Sequence, residues 1–114
     1  MSSISSILGT TGLGYYSAIK SSINSICNSM AIELSTKKIR VNSILAGAIE
    51  DTYIHQDITE KLSKDFVKKY ETKHLLGFGK AEDISHMVSF LLSPASRWIT
   101  GSSIVVDGGF STFK

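Results

Sequence analysis

The order of secondary-structure signals predicts an α/β fold, one end of a doubly wound parallel sheet. Two short β-branched runs, residues 39–45 and 102–106, are each closed by a glycine-containing turn, and stretches of helical periodicity precede and separate them. A strand, helical crossover, strand unit implies parallel pairing, and a parallel sheet needs several strands with helices on both faces. Two strands are too few. The others are expected to lie outside this chain, which should then be unstable alone.

In chain order, residues 2–14 are rich in Ser, Gly and Thr, hold only Ile4, Ile7, Leu8 and Leu13 as large apolar residues, and read as a loop. Between residues 15 and 35, Ile19, Ile23, Ile26, Cys27, Met30 and Leu34 recur at spacings of three and four, the stripe of an amphipathic helix. Residues 39–45 read as a strand running into the loop at Ala46-Gly47. Residues 57–73 place Ile58, Leu62, Phe66, Val67 and Tyr70 on one side and five lysines largely elsewhere, which predicts a single helix with one solvated face. In residues 82–92, Ile84, Met87, Val88, Leu91 and Leu92 repeat at helical spacing, with Glu82 and Asp83 at the positive end of the helix dipole and Pro94 past the stop. Residues 102–106 predict a second buried strand, ended by the turn signal Asp107-Gly108-Gly109.

Of the 114 residues, 42% are hydrophobic and 19% charged, a balance that allows one globular domain and excludes a multidomain enzyme. Lys and Arg number 12 against 10 Asp and Glu, and the basic residues between positions 61 and 73 are interleaved with acids, so nucleic acid is not an expected partner. No apolar run reaches the roughly eighteen residues that span a bilayer, and the first residues lack a basic, then apolar, signal segment. The lone Cys27 has no disulfide partner and no CxxC or His-rich neighbour, so a cytoplasmic, zinc-free protein with a buried Cys27 is expected. His55, His74 and His86 are too scattered for a metal site and read as structural.

The chemistry begins at Tyr16-Ser-Ala-Ile-Lys20. A phenol and an ammonium four residues apart share one helix face, and a fixed positive charge stabilises a phenolate, which brings a phenol toward proton exchange near neutral pH. Taken alone, the pair also fits an ordinary solvated helix surface. The surroundings are more specific. Ser3 lies thirteen residues before Tyr16, with Gly9, Gly12 and Gly14 between them.

With three further segments, this pattern resembles the short-chain dehydrogenase/reductase family. Residues 39–47 look like the strand and Pro-Gly loop after that family's active-site helix, and residues 74–84 resemble its Leu-Gly-Arg-x-Gly-x-Pro-Glu-Asp-Ile stretch. Residues 99–109 are similar to its C-terminal Thr-Gly-x-x-Ile-x-Val-Asp-Gly-Gly. The resemblance covers residues 1–114 as the C-terminal half of one Rossmann-type domain, with 3-oxoacyl-[acyl-carrier-protein] reductases and sugar or polyol dehydrogenases as the most similar members. It implies an active-site helix at residues 15–35, a variable substrate lid at residues 53–73 and a C-terminal helix and strand at residues 82–109.

The resemblance further implies an NAD(P)-dependent oxidoreductase that interconverts an alcohol and a carbonyl. Tyr16 would be the acid/base and also a cofactor contact, Lys20 would tune it and hold the nicotinamide ribose, and Ser3 would donate a hydrogen bond to the substrate oxygen. Ser2, Ser5 and Ser6 lie close by, and only the offset from Tyr16 selects Ser3. Gly47 would let the backbone approach the nicotinamide, Ile49 would sit where backbone groups hold its carboxamide, and Thr52 would reach the cofactor phosphates. The match has departures. Ala46 stands for the usual proline, and Asp51 stands where a threonine is common, with Thr52 one residue later.

The family's glycine-rich dinucleotide turn has no counterpart here, nor does its Asn-Asn-Ala-Gly segment or the asparagine of its catalytic tetrad. Met1 reads as an internal methionine at a truncation, and the chain by itself should bind NAD or NADP weakly. Two expectations follow. One is part of an oxidoreductase acting on a small-molecule carbonyl or alcohol, its parent a homodimer or homotetramer. The other is a non-catalytic piece that only associates with an intact homologue.

Overall fold

The computed structural model describes residues 1–112; the Ile58 side chain, counted above on the apolar side of residues 57–73, lies outside the described residues. Three strands, β1 (Ser2–Ser3), β2 (Ser43–Ala46) and β3 (Ser103–Val106), form one sheet in the order β1-β2-β3. All pairings are parallel, with Ser3 opposite Ala46 and Ala46 opposite Val106, so the carboxyl ends of the strands are level. This is a partial Rossmann-type sheet.

The loop expected over residues 2–14 is therefore corrected at its start. Ser2 and Ser3 are buried and pair through their backbones with Leu45 and Ala46, an interaction that leaves no apolar pattern in two serines. A short 3₁₀ turn at Ile4–Ser6 follows, capped by the Ser3 hydroxyl, which accepts from the Ser5 N–H at 3.2 Å.

Helix α1 spans Gly14–Glu33 and crosses from β1 to β2. The apolar stripe expected to face the core divides. Cys27 is buried as expected, but Ile19 and Ile26 are 62% and 56% exposed. The face against the sheet is made instead of small and polar residues. The Lys20 carbonyl accepts from the Ser2 hydroxyl, the Ser6 carbonyl accepts from the Ser21 hydroxyl, and Asn24 bridges Ser6 and Ser43. Apolar periodicity marks a sticky helix face but does not say what covers it.

The predicted single helix at residues 57–73 is two helices, α2 (Tyr53–Lys61) and α3 (Lys64–Glu71). Ser63 causes the break: it takes an extended conformation, and its hydroxyl caps α3 by accepting from the Phe66 N–H. The lysines of this segment are exposed, as expected; Lys61 pairs with Asp57 at the surface, a contact of small energetic weight.

Helix α4 is Ala81–Leu92, within one residue of expectation. Its start is held by Asp83, whose carboxylate accepts from the Lys80 N–H at 2.7 Å, and Pro94 opens the turn beyond its end. At its C-terminus the Arg40 guanidinium donates to the carbonyls of Leu91 and Ile99, joining α4 to the strand approach. The expectation of a buried β3 is corrected: Ser103 and Val105 are exposed and Ile104 and Val106 half-buried, because among the described residues β3 packs mainly on its neighbour β2 and no helix covers either of its faces closely. The turn after β3 does use its glycines, with φ of 57° at Gly108 and 83° at Gly109, where a side chain would be strained.

Among the described residues the buried apolar ones are Ile4, Cys27, Ala31, Ile44 and Leu45, gathered around β2. The chain exposes 8037 Å², whereas a compact monomer of its mass exposes about 6,100 Å². The excess includes large apolar groups: Tyr15, Leu76, Leu92 and Trp98 are each at least 80% exposed. Among the described residues no helix is long and apolar enough to cross a membrane.

Candidate active site

The carboxyl ends of the strands open into a cleft of about 810 Å³, and Ser3, Tyr16, Lys20, Gly47, Ile49 and Thr52 all line it. Crevices at this end of a parallel sheet are where α/β folds bind ligands, because loops and helix N-termini converge there. Each residue arrives by a different route. Ser3 ends β1, Tyr16 and Lys20 occupy the first two turns of α1, Gly47 and Ile49 follow β2, and Thr52 precedes α2.

The Lys20 Nζ lies 5.5 Å from the centroid of the Tyr16 ring, so the spacing of four residues does bring ammonium and phenol together. Among the described residues Lys20 has no carboxylate partner. Ser3 differs from its neighbours in what its hydroxyl has left to give. The Ser2 hydroxyl donates to the Lys20 carbonyl and the Ser6 hydroxyl to the Ser3 carbonyl, whereas the Ser3 Oγ accepts from Ser5 and has no acceptor for its own proton among the described residues. Ser5 also lines the cleft.

After β2, the chain is pinned as an extra bridge between Ile49 and Gly79: the Gly79 N–H donates to the Ala48 carbonyl at 3.0 Å and the Glu50 N–H to the Gly79 carbonyl at 2.8 Å. The Ile49 N–H is left without an acceptor among the described residues. A Cβ on Gly47 would sit 2.8 Å from the Cα of Asp107, so glycine is required by the turn after β3 independently of any ligand. Gly47→Ala is expected to destabilise the fold by about 1–3 kcal/mol, the scale of overpacking, read as a lower denaturant midpoint. The Thr52 hydroxyl donates to the Ile49 carbonyl at 3.0 Å and accepts from the His55 N–H at 3.2 Å, so it caps α2 while lining the cleft.

Sequence reasoning missed several wall residues. Tyr70 and Phe78 line the cleft within an aromatic cluster with His74 and Phe110, at centroid distances from 4.6 to 5.9 Å. The signal for Tyr70 was its place on the apolar side of residues 57–73, which does not separate a cleft wall from core. Burial, and in lesser degree the neighbouring Tyr16, push the Tyr70 phenol above the ordinary tyrosine range.

His74 is 3% exposed. Burial pushes its pKa below the usual histidine value, against the Tyr70 carbonyl and the charges of Asp107 and Glu71, which favour the imidazolium. A depressed folded pKa means that the unfolded chain takes up the proton first as pH falls. The His74 contribution to stability is thus full above about pH 6.5 and is lost as pH falls through the folded value. Denaturant midpoints are expected to fall more steeply below about pH 6.5 in the native chain than in His74→Gln, which has no imidazole to charge.

The fold and the cleft define part of a Rossmann-type α/β domain with its crevice at the carboxyl ends of the strands. A family model described as Enoyl-(Acyl carrier protein) reductase matches residues 1–111. The chain belongs to the short-chain dehydrogenase/reductase family. It is 39% identical over 107 residues to 3-oxoacyl-[acyl-carrier-protein] reductase of Rattus norvegicus, covering 94% of this chain and 42% of that protein. To a tropinone reductase homolog of Arabidopsis thaliana it is 34% identical over 113 residues, covering 97% and 40%. Among solved structures, 4-hydroxyisoleucine dehydrogenase complexed with NADH superposes with a TM-score of 0.89 at 30% identity, covering 99% of this chain and 46% of that one. A metagenomic blue fluorescent protein in complex with NADPH gives a TM-score of 0.83 at 29% identity, covering 96% and 43%. Both nicotinamide cofactors are thus represented among the structural relatives. The chain spans under half the length of these relatives.

Proposed function

We propose that this chain carries the catalytic residues of an NAD(P)-dependent oxidoreductase that interconverts an alcohol and a carbonyl on a small molecule. The observation that carries the reading is that Ser3, Tyr16 and Lys20 share one cleft with the backbone of residues 47–49, the Lys20 ammonium lying 5.5 Å from the Tyr16 ring. In the direction of reduction, the Tyr16 phenol gives its proton to the substrate oxygen, and in oxidation the phenolate takes it back. The Lys20 ammonium stabilises the phenolate and holds the ribose of the cofactor, and the Ser3 hydroxyl donates to the substrate oxygen.

The cleft fits the nicotinamide end of NAD or NADP. The unpaired Ile49 N–H offers a donor for a carboxamide and Gly47 adds no side-chain bulk, while Lys20 is free of carboxylates among the described residues. When bound, the nicotinamide supplies the hydride for reduction and accepts it in oxidation. Thr52, held as the cap of α2, orders the segment leading to the substrate lid, residues 53–73, and would be the residue to reach the cofactor phosphates. Titration of the purified chain with NADH and NADPH, followed by nicotinamide fluorescence, tests the reading. Saturable binding that weakens in Lys20→Met is expected, and a folded chain that shows no saturation with either cofactor would overturn it.

A second reading is favoured by the exposed apolar side of α1, where Tyr15, Ile19, Ile26 and Ile32 are each more than half exposed. On that reading the chain associates through α1 with a second copy or an intact homologue, the arrangement of a homodimer or homotetramer, without turnover of its own. Concentration-dependent sedimentation of the native chain, abolished by Ile19→Glu, is the expected sign of it.

A further inference from the structure

His74 stands outside the six residues above, yet it touches both walls of the cleft. Its ring is buried among Tyr70, Phe78 and Phe110, and both ring nitrogens are used. Nε2 accepts from the Ala48 N–H at 3.2 Å, and Nδ1 lies 3.1 Å from the Tyr70 carbonyl. A backbone N–H can only donate and a carbonyl can only accept, so the ring must carry its proton on Nδ1 and keep the Nε2 lone pair for Ala48.

The consequence lies in the peptide planes after β2. The Ala48 N–H belongs to the Gly47–Ala48 peptide and is set by His74. The Ala48 carbonyl belongs to the next peptide, the one that carries the Ile49 N–H, and is set by Gly79. Two adjacent planes are thus each fixed at one end, and the direction of the free Ile49 N–H follows from both. The other nitrogen of the same ring reaches the backbone of α3, the helix that brings Tyr70 to the cleft.

We propose that His74 is a positioning residue: its Nε2 acceptor orients the loop at residues 47–49 for the nicotinamide carboxamide, and its Nδ1 donor couples that loop to α3 and the Tyr70 wall. The inference rests on the cofactor reading for its purpose but on the hydrogen bonds alone for the coupling. A rival structural role, filling space in the aromatic cluster, predicts no difference between polar replacements of similar stability.

Two variants separate the roles. His74→Gln can place an acceptor near the Nε2 position, and His74→Asn can place a donor only near Nδ1. Amide exchange at Ala48 is expected to quicken about tenfold or more in His74→Asn and to stay within about threefold of native in His74→Gln, the scale of one hydrogen bond. NADH affinity should weaken about tenfold in His74→Asn and recover in His74→Gln at matched thermal midpoints. Nitrogen-15 shifts of the native ring, which need no variant, should show the proton on Nδ1. A proton on Nε2, or equal Ala48 exchange in the two folded variants, would overturn the proposal. If the native chain bound neither NADH nor NADPH, the cofactor reading would fall with the loop's stated purpose, and the exchange contrast would still decide the coupling.

Discussion

Tyr16→Phe is expected to lower carbonyl reduction by about 10²–10⁴-fold, the range that a positioned general acid supplies. The ring stays, and with it the packing at the start of α1 and the contact with Lys20. Only the transferable proton is lost. Cofactor affinity should therefore change little, and the loss should fall on kcat rather than on KM, because the role proposed for the phenol is on the substrate oxygen in the transition state. Lys20→Met is expected to differ in kind, weakening both turnover and nicotinamide binding, since the role proposed for its ammonium is toward phenol and ribose alike. Steady-state kinetics with fluorescence titration of each variant separates the two patterns. A Tyr16→Phe protein with native turnover would remove Tyr16 from the chemistry.

Leu45→Ala is expected to cost about 2–5 kcal/mol, the largest stability effect of an apolar truncation among the described residues. Leu45 is 1% exposed at the centre of β2, between Ser2 of β1 and Val105 of β3, and it is the least exposed apolar residue among the described residues. A typical domain is stable by about 5–15 kcal/mol, and a chain with so small a core and so much surface has little margin above such a loss. The urea midpoint should fall sharply or the cooperative transition disappear, whereas Leu92→Ala, at an 80% exposed position, should leave it within about 0.5 kcal/mol.

The strand that carries Leu45 also places the site. The three strands end level, and the cleft forms where β1, β2 and the entry to α2 meet the first turns of α1. Ala46 and Gly47, at the end of β2, line the cleft, so a disturbance of Leu45 should reach Gly47 two residues on. That link between core and site makes the stability and binding experiments mutually informative.

What the sequence determined by itself is what depends on local chemistry. The helical span near residues 14–33 follows from spacing, the bounds of α4 from its acidic start and Pro94, and the proximity of Tyr16 and Lys20 from a four-residue separation on one helix. The linked motifs made the family legible because their residues are neighbours along the chain. Tertiary structure decided what depends on non-local partners. Ser2 and Ser3 became a strand because β2 offered its edge, Ile19 and Ile26 faced outward because Asn24 and Ser21 met the sheet, and His74 reached Ala48 across twenty-six positions. Hydrogen bonds to a backbone group distant in sequence leave no periodicity and no motif. The folded chain alone shows which lone pair finds which N–H.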